Sequence, residues 1–127
     1  MMKILVVDDE KDMQLLFQQR FRKEIKNGEL SFMFALSGEE ALKTLETMEQ
    51  EAVLILSDIN MPGMSGLELL DKIKHDFKNP PLVVMMITAY GDDENYTKAK
   101  QLGADDFLTK PLDFNYLKTI LKNYQNG

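Results

Sequence analysis

The chain has 127 residues, which is enough for one domain that buries most of the surface its unfolded form would expose. Its net charge of −6 argues against a nucleic-acid-binding surface, because affinity for phosphate backbones comes from clustered Lys and Arg. The absence of cysteine excludes disulfides and thiol chemistry and fits a cytoplasmic protein. The longest apolar run, 82–87, is too short to cross a membrane, which takes about 20 residues.

Five short apolar runs alternate with stretches of helical periodicity, a pattern typical of buried parallel strands joined by helices. The predicted strands cover residues 4–7, 30–36, 53–56, 82–87 and 106–108. The predicted helices cover residues 11–25, 38–50, 66–77, 92–102 and the stretch after 113. The second strand alternates apolar and polar residues, so we expect it to be less buried than the others.

Three helix starts carry capping signals. Ser37 and Ser65 are each followed three residues later by Glu, which is the spacing of a capping box. Asp113 is the predicted cap of the last helix. Alternating strand–helix units with right-handed crossovers predict an α/β protein with a three-layer, doubly wound, flavodoxin-like (βα)5 fold and strand order 2-1-3-4-5. No linker interrupts the pattern, so we expect residues 1–127 to form a single domain.

Five polar residues follow the ends of the predicted strands: Asp8, Asp9, Asp58, Thr88 and Lys110. Ligands of open parallel sheets bind beyond the carboxyl ends of the strands, at the point where the strand order reverses. We therefore expect these five side chains, although far apart in sequence, to converge at one edge of the sheet. Taken one at a time, they also have ordinary interpretations as helix caps, a surface lysine and a strand-end threonine.

The acidic residues suggest a cation site. Carboxylates that share a site repel one another unless a cation compensates them. Mg²⁺ prefers oxygen ligands and typically combines one or two carboxylates with waters and a phosphate. Lys110 would add a mobile positive charge for a phosphoryl oxygen, and the Pro111 that follows it has the potential to form a cis peptide bond. The small Ala89 after Thr88 leaves room for a group that the hydroxyl can bond.

Four ordered motifs resemble the receiver domains of two-component response regulators over residues 3–124: VDDE at 7–10, SDINMPGMSG at 57–66, ITA at 87–89 and FLTKP at 107–111. The resemblance implies that Asp58 accepts a phosphoryl group from a sensor histidine kinase or a histidine phosphotransfer protein. It implies a Mg²⁺ (or Mn²⁺) ion on Asp9, Asp58 and the backbone carbonyl of Asn60, with Asp8 acting through water.

The resemblance also implies that Lys110 and Thr88 bind phosphoryl oxygens. Thr88 and Phe107 would then switch the face made by the fourth predicted helix, the fifth strand and the fifth helix. Many members of the family have tyrosine where this chain has Phe107, which is alternatively a plain core aromatic. The acyl phosphate would hydrolyse by itself, so the protein would catalyse only its own phosphorylation and dephosphorylation and would not be an enzyme in the ordinary sense.

Four further residues receive roles from the resemblance. Asn60 and Tyr90 would flank the path of the attacking water and tune the lifetime of the phosphoryl group. Met13 and Leu16 are candidates for kinase docking, although their helical spacing equally fits core positions. Only three residues follow the last helix, so we expect either a stand-alone receiver with a separate effector or one cut from a larger regulator. Phosphorylation-dependent dimerisation is compatible with either arrangement.

Other phosphate-handling classes fit less well. A haloacid-dehalogenase-type phosphatase needs a second acid two residues after its aspartate nucleophile, where this chain has Asn60. A flavodoxin needs a Ser/Thr-rich phosphate loop after the first strand, but residues 9–12 are acidic or basic. A P-loop protein is excluded because Gly-x-x-x-x-Gly-Lys is absent. A receiver-like domain that docks without accepting phosphate stays open, although every required residue is present.

Overall fold

The computed structural model describes residues 2–48, 53–78 and 82–126. The strands in these ranges are β1 (Met2–Val7), β2 (Leu30–Ala35), β3 (Val53–Asp58), β4 (Val83–Thr88) and β5 (Asp106–Thr109). The helices are α1 (Asp12–Arg20), α2 (Arg22–Lys26), α3 (Gly38–Thr47), α4 (Gly66–Asp76), α5 (Asp93–Gln101) and α6 (Phe114–Asn126). Within the described ranges no helix is long and apolar enough to span a membrane.

The five strands form one parallel sheet in the order β2-β1-β3-β4-β5. The predicted doubly wound, flavodoxin-like fold is therefore confirmed. The order reverses between β1 and β3, where Val7 pairs with Ser57 in register. Asp58 and Thr88 are the last residues of β3 and β4, so this carboxylate and this hydroxyl belong to the strand ends instead of following them.

Two apolar cores lie on opposite faces of the sheet. Alternate residues of β1 divide between them: Leu5 and Val7 pack with residues of α3, α4 and α5, whereas Ile4 and Val6 pack with residues of α1 and α6. This alternation follows from the two-residue period of a strand, which sends successive side chains to opposite faces. The sheet is thus covered on both sides and forms the middle of three layers.

The first predicted helix, 11–25, is divided in the structure. Phe21 leaves helical geometry, with φ −108° and ψ 19°, between α1 and α2. Its N–H still bonds the carbonyl of Phe17 at 3.0 Å, and its ring is completely buried against those of Phe17 and Phe32. The sequence has no proline or glycine at this break. The break accompanies the burial of the Phe21 ring in the core, so no local turn signal predicts it.

The predicted caps form. Ser37 and Ser65 accept from the backbone N–H groups of Glu40 and Glu68, and Asp113 accepts from those of Asn115 and Tyr116. β2 lies at an edge of the sheet and has four half-buried residues out of six, so it is less buried than β1 and β4, as predicted, but not less buried than β5 at the other edge. The predicted end, near residue 50, of the helix that follows the second strand lies outside the described residues.

Candidate functional site

Three carboxylates meet where the strand order reverses. One oxygen from each of Asp8, Asp9 and Asp58 lies within 4.8 Å of the other two. Asp8 and Asp58 are only 5% and 3% exposed, whereas Asp9 is open to solvent. β1 and β3 are neighbours only because the chain crosses over, and this crossover brings together acids that are 50 residues apart in the sequence numbering. The cluster therefore combines oxygen ligands, negative charge and an open side.

Local hydrogen bonds hold the buried acids. The N–H of Glu10 donates to Oδ1 of Asp8 at 2.9 Å, and the N–H of Asn60 donates to Oδ1 of Asp58 at 3.3 Å. The buried hydroxyl of Ser57 donates to the backbone carbonyl of Asp58 at 3.0 Å. These bonds fix the strand ends, and they use only part of the acceptor capacity of the carboxylates, each of which offers about four lone-pair directions.

Lys110 reaches the cluster from the end of β5. Its Nζ lies 2.6 Å from Oδ2 of Asp58, across 52 residues of sequence. The N–H of Lys110 donates to the carbonyl of Thr88 at 2.9 Å, which anchors the turn to β4. The peptide bond from Lys110 to Pro111 is cis. The sequence predicted that Lys110 would lie at the acidic edge of the sheet. In the structure its ammonium contacts the buried carboxylate of Asp58 directly.

The pKa values of Asp8 and of Lys110 are both raised in the folded protein, for different reasons. Burial is the main cause that raises the pKa of Asp8 above 3.8, and the charge of Asp58 adds to it against the hydrogen bond from Glu10. Burial works to lower the pKa of Lys110, but its hydrogen bond to Asp58 and the charges of Asp58 and Asp8 outweigh burial and raise that pKa above 10.5. The single positive charge of Lys110 does not compensate all three carboxylates of the cluster.

Asp8→Asn is expected to stabilise the protein in the absence of divalent cations. The pKa of Asp8 is higher in the folded than in the unfolded chain, so folding stability falls as the pH rises from 3.8 through the folded pKa. At pH 7 the variant should gain about 1 kcal/mol in unfolding free energy, a gain that fades below pH 3.8. Urea unfolding of the wild type and of Asp8→Asn in EDTA, at pH 7 and below pH 3.8, measures this difference in stability.

The control for this prediction is Asp71→Asn, which removes an exposed carboxylate of α4. Exposed substitutions away from special features change stability by less than about 0.5 kcal/mol. Equal stabilities for wild type and Asp8→Asn at neutral pH would mean that the cluster carries no repulsion worth relieving.

Thr88 and Phe107 lie on adjacent strands, two residues from direct register, since Phe107 pairs with Met86. Thr88 is 4% exposed, and its Oγ1 donates a long bond of 3.4 Å to the carbonyl of Leu108. Phe107 is half-buried, and its ring packs on Tyr96 of α5 with 4.3 Å between centroids. The hydroxyl is therefore weakly held, and the aromatic ring contacts the helix that carries the predicted output face.

The remaining predicted residues divide between the cleft and the solvent. Asn60 is exposed beside Asp58, and Tyr90 is 89% exposed, so the tyrosine ring does not crowd the carboxylates in this structure. Met13 and Leu16 are half-buried and line a cavity of about 380 Å³ that opens next to Asp8 and Lys110.

Three residues that line this cavity lie outside the motifs and were missed by sequence reasoning: Arg20, Leu112 and Phe114. Leu112 and Phe114 follow the lysine–proline motif closely, so their position after that motif could have indicated them. Arg20 gives no such signal, because only the packing of α1 beside the sheet brings it there.

The fold and the site define a class: a doubly wound α/β domain that gathers carboxylates, a hydroxyl and an ammonium at its switch point. The response regulator receiver domain family matches residues 4–122 of the chain. The chain belongs to this family and is a receiver domain of the two-component response regulators. Receiver domains are signalling domains.

Two curated proteins and one solved structure are among those to which the chain is similar. The chain is 34% identical to sporulation initiation phosphotransferase F of Bacillus subtilis (strain 168), over 96% of this chain and 92% of that protein. It is 34% identical to a cyclic di-GMP phosphodiesterase of Thermotoga maritima over 92% of this chain, but spans only 29% of that protein. The crystal structure of chemotaxis protein CheY4 of Vibrio cholerae matches with TM-score 0.80 and 25% identity, covering 97% of this chain and 98% of that one.

Proposed function

We propose that residues 1–127 form a single phospho-accepting receiver domain in which Asp58 takes a phosphoryl group from a phosphohistidine. The observation that carries the proposal is the 2.6 Å contact between Lys110 Nζ and Asp58 Oδ2 inside a cluster of three carboxylates. A nucleophilic carboxylate needs a neighbouring positive charge to let an anionic phosphoryl group approach, and this contact supplies one. The group would act in the cytoplasm as a signal and not as a turnover intermediate.

The donor set fits Mg²⁺ or Mn²⁺. Asp9 and Asp58 offer carboxylate oxygens, Asn60 offers its backbone carbonyl, and Asp8 would act through a water molecule. The fit is supported by the spacing of the three carboxylates and by the excess of negative charge that Lys110 leaves uncompensated. When bound, the cation would neutralise these carboxylates together with oxygens of the incoming phosphoryl group.

Phosphoryl transfer requires mainly correct positioning of the reacting groups and neutralisation of their charge. A carboxylate oxygen of Asp58 forms a bond to phosphorus while the bond from phosphorus to the donor histidine nitrogen breaks, and that nitrogen leaves with the electron pair. Lys110 then pairs with a phosphoryl oxygen, and the Thr88 hydroxyl exchanges its long bond to Leu108 for a second phosphoryl oxygen. Water later hydrolyses the acyl phosphate, so the protein modifies only itself.

The switch would pass from Thr88 to Phe107. Movement of the hydroxyl toward the phosphoryl group vacates space that the Phe107 ring can enter, leaving its contact with Tyr96. The affected face consists of α5, β5 and α6, which are the fourth helix, fifth strand and fifth helix of the family pattern. Because Phe107 has no hydroxyl, packing alone would hold its inward position.

The cavity beside the site supports a proposal for the partners. The 380 Å³ cavity beside Asp8 and Lys110, with Met13 and Leu16 in its wall, suits an apolar helix face that presents a phosphohistidine from a sensor histidine kinase or a histidine phosphotransfer protein. The switched face would act on a separate effector, on an output domain of a longer protein or on a second phosphorylated copy. Neither nucleic acid nor membrane is an expected direct partner.

Intact-mass spectrometry tests the proposal. The protein is incubated with a small phosphoramidate or acyl phosphate, with Mg²⁺ or with EDTA. We expect addition of a single phosphoryl group that needs the divalent cation and decays after the donor is removed. No addition would favour the docking-only receiver, and equal addition in EDTA would contradict the metal role assigned to the aspartates.

Tyr90→Ala is expected to shorten the lifetime of the phosphorylated form severalfold. The wild-type ring is in solvent, and we expect it to turn over the phosphoryl group and hinder the attacking water. The measurement is the decay of the phosphorylated mass with time. Tyr116→Ala, which removes an exposed ring from α6, is the control. An unchanged or slower decay in Tyr90→Ala would refute crowding by this side chain.

A further inference from the structure

The loop between β3 and α4 is held by a residue of another helix. Glu39, in the first turn of α3, accepts a hydrogen bond at Oε1 from the backbone N–H of Met64, at 3.1 Å and across 25 residues. Within the described ranges, this is the only hydrogen bond that joins residues 61–64 to another element. The loop begins at Asn60, whose carbonyl belongs to the proposed cation site.

Close packing accompanies this hydrogen bond. A Cβ on Gly38 would lie 2.7 Å from Sδ of Met64, so the Met64 side chain rests directly on the start of α3. A Cβ on Gly63 would lie 3.7 and 3.8 Å from the two carboxylate oxygens of Glu39. Two consecutive loop residues thus lie beside two consecutive residues of α3. Close approach requires the glycine only at Gly38, because a Cβ on Gly63 would be in ordinary van der Waals contact with Glu39.

The base of the loop is closed separately. The N–H of Gly66 donates to the carbonyl of Ile59 at 2.7 Å, which ties the start of α4 to the residue after Asp58. The span between Ile59 and Gly66 is therefore fixed at its base by the sheet, in its middle by the buried side chain of Met61, and at its far side by Glu39. Loss of the Glu39 attachment would leave Met61 as the remaining anchor within the span, so we expect the backbone beside it, including the Asn60 carbonyl, to be held less precisely.

We infer that Glu39 is a positioning residue for the phosphoryl-acceptor site: it holds the loop so that the Asn60 carbonyl points into the cation site. The inference rests on the proposed function and adds a residue that touches neither cation nor phosphoryl group. Residues that hydrogen-bond the metal ligands themselves change metal affinity by about 10- to 100-fold when removed, and Glu39 acts one step further from the ligands, so we expect an effect at the low end of that range.

The exposure of Glu39 separates this role from a general stabilising one. Its carboxylate is on the surface, so water can bond the Met64 N–H after truncation and the fold should lose little. What is lost is the fixed direction of the loop. A glutamine keeps an oxygen acceptor of the same reach, so Glu39→Gln should preserve the contact while removing the charge.

The test compares Glu39→Ala, Glu39→Gln and Glu40→Ala. Glu40 is also exposed, lies in the same helical turn and makes no side-chain hydrogen bond in the described part of the chain, so its variant controls for charge. Calorimetry measures Mg²⁺ affinity, hydrogen exchange by NMR measures protection of the Met64 amide without metal, and thermal unfolding measures stability.

We expect Glu39→Ala to bind Mg²⁺ about tenfold more weakly and to exchange its Met64 amide faster, with an unchanged melting temperature. Glu39→Gln and Glu40→Ala should resemble wild type. Unchanged affinity and exchange in Glu39→Ala, or equal losses in Glu40→Ala, would overturn the inference. A wild-type protein that binds no Mg²⁺ would instead overturn the proposed function, and the inference with it.

Discussion

Asp58→Asn is expected to abolish phosphoryl incorporation from a small donor. Asparagine keeps the size of the side chain and can still accept the N–H of Asn60, but its amide oxygen carries no charge to attack phosphorus. The substitution also removes the anionic partner of Lys110. Intact mass after incubation with Mg²⁺ and a phosphoramidate should show the wild type modified and the variant unmodified.

Two comparisons make this result specific. Asp71→Asn, in an exposed position on α4, should accept phosphoryl groups as the wild type does. Peptide mapping of the wild type should locate the group on Asp58. If Asp58→Asn gained the same mass as the wild type, another residue would be the acceptor and the assigned chemistry would be wrong.

Gly66→Ala is expected to destabilise the protein strongly, although it adds only one methyl group. A Cβ at this position would lie 2.1 Å from the backbone carbonyl oxygen of Asp58 and 2.6 Å from Cα of Ile59. Backbone atoms cannot rotate away as a side chain can, so α4 or the end of β3 must move. We expect a loss of about 3 kcal/mol in unfolding free energy, since overpacking typically costs about 1–3 kcal/mol.

Gly38→Ala provides a matched comparison. Gly38 and Gly66 each follow a capping serine as the first residue of a helix, so intrinsic helix preference affects both variants alike. The added Cβ at Gly38 meets the flexible side chain of Met64 instead of backbone. Urea unfolding should therefore show a much smaller loss for Gly38→Ala, and equal losses would argue against the backbone clash.

Gly66→Ala should also impair the site. The clash falls on the Asp58 carbonyl and the Ile59 Cα, next to the Asp58 side chain, so the carboxylate would shift relative to Lys110 and Asp9. Phosphoryl incorporation should fall even at temperatures where the variant remains folded. A variant that is destabilised yet modified at the wild-type rate would show that the site tolerates displacement of the β3 end.

Much of the site could be predicted because the ends of the strands can be located from the amino-acid sequence. Apolar runs locate the strands, and the rule for parallel sheets then places whatever follows them at one edge. Asp8, Asp9, Asp58, Thr88 and Lys110 were all found in this way, and the structure brings them to that edge. The helix caps were equally readable, since a capping box depends on residues only three apart.

Features that depend on contacts between distant segments could not be predicted from the sequence. The division of the first helix at Phe21, the position of Arg20 in the cavity wall and the bond from Met64 to Glu39 all arise from how layers pack. Periodicity reports which side of an element is apolar but not which partner it meets. The exposure of Tyr90 could not be predicted either, because a loop side chain next to a site can point toward the site or into solvent.

The amino-acid sequence by itself determined the βα alternation, the sheet order and the set of strand-end residues, because these follow from local periodicity and from the few topologies that right-handed crossovers allow. Only the tertiary structure decided that Lys110 rests on Asp58 at 2.6 Å, that Gly66 lies against the backbone after β3 and that Glu39 anchors the loop beside it. The Lys110 and Glu39 contacts join residues 52 and 25 positions apart, and packing sets such distances to fractions of an ångström.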